Sequence, residues 1–251
     1  MMNDQEVIRI LGIISKVYER ILDSSQSVVI QSAISSVRES RAEYVRTKRN
    51  QSRGAKIRSW GYSIEDDMPL RFVPSRAKDF NLQVDVYCKI YWEDDSIPAE
   101  QDIKVRLWSE HDQLIFDPDR DAQVVYEKLV DPSRERNGRV ISRFHFDKAN
   151  QSQQGPEYHL QFGGNPKGYE LCWHPSSVNI PRFLYHPMDL FLTCQLIAAN
   201  FFRDDYLEIK EKSEWRGALA LCQKHLLVNH YRKCLKILEE GESLLDGFWF
   251  S

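Results

Sequence analysis

Four of the seven histidines of this 251-residue chain fall between positions 145 and 186. Three of them lie in stretches that alternate apolar and polar residues. In 140–147 the apolar set is Val140, Phe144 and Phe146, and the opposite set is Arg143, His145 and Asp147. In 157–162, Tyr158, Leu160 and Phe162 are apolar, and His159 and Gln161 oppose them. In 169–174, Tyr169, Leu171 and Trp173 leave Glu170, Cys172 and His174. A strand turns successive side chains to opposite faces, so registers that stack the apolar sets also stack the polar ones. Arg143, His145, Asp147, His159, Gln161, Glu170 and His174 are thus expected on one sheet face.

Three chemistries fit that set. Arg, His and Gln suit an anion, a nucleotide or nucleic acid, through charge-assisted bonds and polar-edge recognition. Three histidines with Asp147 or Glu170 also offer metal ligands for a hydrolytic centre. A solvated face is the third reading, since antiparallel sheets commonly wet one side. A wet face, functional or merely solvated, predicts that truncating His159 or His174 changes stability by about 0.5 kcal/mol or less; a functional one predicts that activity falls as well. No H-x-E, H-E-x-x-H or C-x-x-C spacing supports a metal, so none is assigned and no cofactor is expected. His111, His186, His225 and His230 are read as packing, capping or loop residues.

A second feature is charge. From Arg38 to Arg58 eight basic residues face only Glu39 and Glu43, a local +6. Arg46, Lys48, Arg49, Arg53, Lys56 and Arg58 form its dense end, the candidate phosphate-contacting set. Trp60 and Tyr62 follow and could stack on bases. Residues 65–131 are strongly acidic; their carboxylates, for example Asp85 with Asp102, could form a metal-nuclease set, but on alternating strands they read as ordinary polar-face residues.

The elements that must position these groups are legible from periodicity. Helical spacing runs from Asp4 to Tyr18 and from Gln26 to Thr47, with Asp23-Ser24-Ser25 as a break or cap. Residues 50–58 read as loop. Strict alternation predicts strands over 82–91 and 103–108 around an acidic hairpin loop with Pro98. A short strand at 114–116, a helix at 121–130 and strands at 139–147, 157–162 and 169–174 follow. Helices are expected over 188–202, 207–210 and 215–238. Helices first, antiparallel strands between and helices last argue an α+β fold, with a central antiparallel sheet flanked by N-terminal and C-terminal helices. Three regions result: 1–58 helical and basic, 59–180 sheet, and 181–251 helical.

The totals exclude some classes. A net charge of −3 rules out a uniformly basic nucleic-acid binder. Five dispersed cysteines, without C-x-x-C, read as buried thiols of a reducing compartment. The start, MMNDQEVIRILG, lacks the pattern of a signal peptide. The most apolar window, 188–202, falls short of the ~20 residues that span a bilayer. A cytoplasmic protein without membrane contact is expected. Walker, dinucleotide and nucleophile-elbow motifs are absent. The aromatics Phe248-Trp249-Phe250 are expected to dock on the chain's own core or on a partner.

The run RFHFDKANQSQQGPEYHLQFGG, then CWHP, then PRFLYHPMDLFLTCQLIAANFF resembles a pattern of uncharacterised bacterial families encoded in toxin–antitoxin and phage-defence neighbourhoods. It covers about residues 142–202. This chain has one histidine in the second strand where the pattern often has two. The resemblance implies a genomic context and a partner protein encoded nearby. The expected function is an accessory or recognition component of such a system that binds nucleic acid or that partner. The alternatives are a metal-dependent nuclease or hydrolase on the histidine face, and a non-catalytic structural subunit of a complex.

Overall fold

A computed structural model describes residues 3–50, 59–73, 82–93, 97–109, 139–149, 156–163 and 182–244. The expected elements at 114–116, 121–130 and 169–174 lie outside them, as does the aromatic run 248–250.

The fold is α+β. The chain opens with α1 (Asp4–Val17) and α2 (Gln26–Asn50). A reciprocal capping box starts α1: Glu6 N–H donates to Asn3 Oδ1 at 3.0 Å and Asn3 N–H to Glu6 Oε2 at 2.9 Å. Asp23 accepts from Ser25 N and Oγ, so the segment read as a break is an Asx turn between two helices. Helix α2 runs three residues past the expected end.

Among the described residues seven strands follow: β1 (Trp60–Ile64), β2 (Leu70–Phe72), β3 (Leu82–Trp92), β4 (Glu100–Ser109), β5 (Arg139–Lys148), β6 (Tyr158–Phe162) and β7 (Phe183–Leu184). They form one antiparallel sheet in the order β1-β3-β4-β5-β6-β7, and β2 pairs with β3 beyond the end of β1. Strands β1, β2 and β7 were not anticipated, although Trp60, Tyr62 and Ile64 alternate. As expected, β5 and β6 are neighbours.

One sheet face carries the core: Trp60, Tyr62, Ile64, Val84, Val86, Cys88, Ile90, Trp92, Ile103, Val105, Phe144 and Phe146 are buried. Over them lie α1, α2, α3 (Leu190–Phe201) and α5 (Ser213–Cys222), with the short α4 (Arg203–Ile209) between the last two. Asp189 caps α3 by accepting from Leu192 N–H at 2.7 Å. Buried Gln101 donates to the Phe146 carbonyl and accepts from Met188 N–H, which fixes the entry to α3 against the sheet. Among the described residues no helix is long and apolar enough to cross a membrane.

Trp60 and Tyr62, expected near nucleic-acid bases, belong instead to this core. Trp60 is 0 % exposed and stacks on Trp92 at 4.9 Å. Alternation along β1 turns both side chains under α2, which removes them from any external ligand.

Between them stands Gly61. Its outer backbone edge bonds Ser40 of α2: Gly61 N–H donates to Ser40 Oγ at 3.1 Å, and Ser40 Oγ–H to Gly61 O at 2.8 Å. The helix thereby covers the free edge of β1. A Cβ at this position would meet Ile90 O at 2.1 Å and Tyr91 Cα at 2.7 Å. Both obstacles are backbone and cannot swing aside. Gly61→Ala is therefore expected to lose about 1–3 kcal/mol, the range for overpacking, measured by urea denaturation. A parent-like midpoint would show that β1 can move off β3.

After α5 the helix continues through a π-helical turn, Gln223–Leu227, into α6 (Val228–Glu239). Helix α6 is tied to the sheet by Lys233 Nζ donating to Glu157 Oε2 at 3.2 Å and by His230 edge-on to Tyr158.

Candidate functional site on the polar sheet face

The face opposite the core is built in transverse rows, because the registers of β2 to β6 align their polar positions. One row runs Arg71, Asp85, Arg106, Arg143. The next runs Tyr87, Lys104, His145, Gln161. The third runs Lys89, Asp102, Asp147, His159. The five candidates Arg143, His145, Asp147, His159 and Gln161 are thus brought together. Glu170 and His174 lie outside the described residues. Arg71 of β2 and Asp85, Tyr87, Asp102, Lys104 and Arg106 extend the set; the alternation of the last five along β3 and β4 is visible in the sequence, and only the β4–β5 register joins them to the histidines.

The solvated reading of this face is corrected where the histidines sit. His145 is 8 % exposed and His159 1 %. His159 Nδ1–H donates to the Pro156 carbonyl at 3.3 Å. Its loss would leave a buried acceptor unpaired, so the expectation for His159→Ala rises from about 0.5 kcal/mol to about 1–3 kcal/mol. Burial, then Arg182, lowers the His159 pKa.

His145 is held between two neighbours on its own strand. Arg143 Nε–H donates to His145 Nε2 at 2.8 Å, which places the imidazole proton on Nδ1, 3.8 Å from Asp147 Oδ2. Burial and the adjacent Arg143 push the His145 pKa down to about 3. The ring is neutral at physiological pH.

Asp102 and Asp147 stand opposite each other on β4 and β5. Burial raises the Asp147 carboxyl to about 7, and the charge and hydrogen-bonding contact of Asp102 add to the rise. Lys104, two residues along β4, donates to Asp102 Oδ2 at 2.9 Å. The Oδ1 atoms of both carboxylates are buried without a protein hydrogen-bond partner. Two such oxygens are stable side by side when a proton or a cation lies between them. This pair, not Asp85 with Asp102, is what the fold assembles. Asp85 is opposite Arg106 and accepts Arg71 Nε–H at 2.7 Å and Nη2–H at 2.9 Å. It is consumed by that bidentate pairing, one end of the face away from Asp102.

The carboxylates open into a cleft of 540 Å³, also lined by Ser59, Tyr91, Glu93, Glu100, Lys104, His145 and Lys148. Tyr44 of α2 donates its hydroxyl to the Glu93 carbonyl at the rim. Lys48 Nζ sits 3.5 Å from that hydroxyl and over the Tyr44 ring. Arg46, Lys48 and Arg49 are all exposed on the last turns of α2. Arg53, Lys56 and Arg58 lie outside the described residues. Among the described residues, no group of three or more His, Cys, Asp and Glu side chains is arranged to hold a metal ion.

The remaining described histidines pack. His186 stacks on Tyr185 at 4.2 Å, and burial drives His230 down to about 4.

No family model, curated protein or solved structure matches the chain.

Proposed function

We propose that this protein is a recognition component that binds nucleic acid, accessory to a defence-like or toxin–antitoxin-like system and acting with a protein encoded beside it. The observation that carries the reading is the attachment of the basic end of α2 to the rim of the cleft. Lys48 rests on Tyr44, and Tyr44 is bonded to Glu93. Arg46, Lys48 and Arg49 are exposed there, with long, mobile side chains suited to phosphates. A strand lying along them would place its bases toward the polar rows, whose partly exposed Gln161 can read polar edges. The genomic setting rests on the resemblance over residues 142–202.

Replacing Arg46, Lys48 and Arg49 together with Ala is expected to weaken binding to a mixed-sequence oligonucleotide without lowering the melting temperature, since all three side chains are exposed. Each lost phosphate contact reduces the log–log salt slope by roughly 0.7–0.9. A triple variant with the parent's affinity and slope would remove α2 from the interface.

A second reading, hydrolysis of a phosphodiester with a divalent cation, is favoured by one observation: the facing Asp102 and Asp147 with Lys104 beside them. Carboxylates are the usual oxygen ligands of Mg²⁺ and Mn²⁺, and a lysine can steady developing negative charge. Under this reading the parent cleaves oligonucleotide in Mg²⁺ or Mn²⁺ and Asp102→Asn does not. Binding without cleavage by either protein supports the recognition reading.

A further inference from the structure

Helix α6 presents two apolar sides. His230, Cys234 and Ile237 are buried against the body. Val228, Tyr231, Leu235 and Leu238 form a second stripe that is 39–56 % exposed. Their spacing of three, four and three residues keeps them in line. At 1.5 Å per residue the stripe is about 15 Å long.

The helix ends in a Schellman turn. Gly241 has φ +78°, Glu242 N–H donates to Ile237 O at 3.0 Å and Gly241 N–H to Leu238 O at 3.1 Å. That turn reverses the chain, and Leu244 packs back on Cys234 and Ile237, along the border of the stripe. The residues that come next, 245–251, are Leu-Asp-Gly-Phe-Trp-Phe-Ser, outside the described residues. Fully extended, seven residues reach about 23–25 Å, more than the stripe requires. They carry Leu245, Phe248, Trp249 and Phe250, large apolar groups that are costly in water.

We propose that residues 245–251 fold back antiparallel to α6 and that Phe248, Trp249 and Phe250 cover Val228, Tyr231, Leu235 and Leu238. Three observations single out this occupant: the direction in which the turn sends the chain, the seat already taken by Leu244, and the match of length and apolar character. The inference is independent of nucleic-acid binding and stands if that reading fails.

The test uses the full chain carrying Leu235→Cys and Trp249→Cys, oxidised mildly and run on a non-reducing gel, with Leu235→Cys alone as the control. The expected result is a fast-migrating intramolecular disulfide in the double variant only. Changing Phe248, Trp249 and Phe250 to Ser should in addition raise the fluorescence of an added hydrophobic dye several-fold, and Leu235→Ser should reduce that gain. Only intermolecular disulfide at dilute concentration would give the stripe to a second copy and overturn the proposal. No disulfide in a double variant that melts like the parent would overturn it as well, as would dye fluorescence indifferent to the triple Ser change.

Discussion

Replacing Arg71 with Met should destabilise the protein by about 3–5 kcal/mol, the cost of stranding a buried charge. Its partner Asp85 is 0 % exposed and accepts both guanidinium donors. Burial by itself raises the Asp85 pKa, and Arg71 opposes that rise through hydrogen bonds and charge. Without Arg71 the carboxyl must stay desolvated and charged or take up a proton. The second course lifts its folded pKa further above the unfolded value, so the folded chain holds a proton that the unfolded chain releases. Stability of the variant then falls as pH rises through that window. Urea denaturation at pH 5 and pH 8 should show the deficit larger at pH 8. Adding Asp85→Leu should recover most of the loss, because a well-packed apolar pair often replaces a buried ion pair at little cost. A double variant as unstable as Arg71→Met alone would locate the damage in packing rather than in charge.

Asp147→Asn should stabilise the protein at pH 8, by about 1–3 kcal/mol, although it removes a charged group from the centre of the polar face. The displacement of this carboxyl from 3.8 to about 7 corresponds to about 4 kcal/mol at most. Between those values the folded chain keeps a proton that the unfolded chain has lost, so the contribution of Asp147 falls as pH rises and remains low above 7. His145 acts in the opposite sense. With a folded value of about 3, it stays neutral while the unfolded chain protonates below about 6.5, so its contribution falls as pH drops. In the parent these two slopes offset each other from about pH 4 to 6.5. The Asn variant keeps only the histidine slope and should lose up to about 1.4 kcal/mol per pH unit on acidification. Denaturation midpoints at four or five pH values decide the matter. Parallel curves for parent and variant would mean that Asp147 ionises as an ordinary carboxylate and that the facing of Asp102 carries no energetic weight.

Much of the architecture could be read from periodicity because each period reports one kind of burial. Alternation along 82–91 and 139–147 marked strands with one apolar side, and the spacing of Val7, Ile10, Leu11 and Ile14 marked a helix. Strand β1 escaped because Gly61 interrupts its alternation in the place where the backbone needs it, and β2 and β7 because three and two residues give too few repeats. The same logic placed Arg143, His145, Asp147, His159 and Gln161 on one side. It could not say that His145 and His159 are buried, since alternation fixes direction and not what lies beyond. Nor could it bring Asp102 to Asp147. That meeting depends on a register between strands 45 positions apart, and nothing local to either residue encodes it.

The π-helical turn at Gln223–Leu227 fixes how the last helix tolerates changes in length. Before the turn the inward positions are Trp215, Ala218 and Cys222; after it they are His230, Cys234 and Ile237. An uninterrupted α-helix would carry the inward face from Cys222 to about position 229 and then 233, one residue short of what is seen. The turn therefore behaves as a single extra residue absorbed into a regular helix. Deleting any one residue between 223 and 227 would remove that extra residue, give regular α-helical hydrogen bonding and leave everything downstream facing as it does now. Closing the turn into α-helix without a deletion would instead rotate it by about 100°: His230 would leave Tyr158, Lys233 would leave Glu157, and the apolar stripe of α6 would turn toward a different neighbour. The turn is a store of one residue: a chain one residue shorter there would keep the same helix and aim its final stretch where it already points.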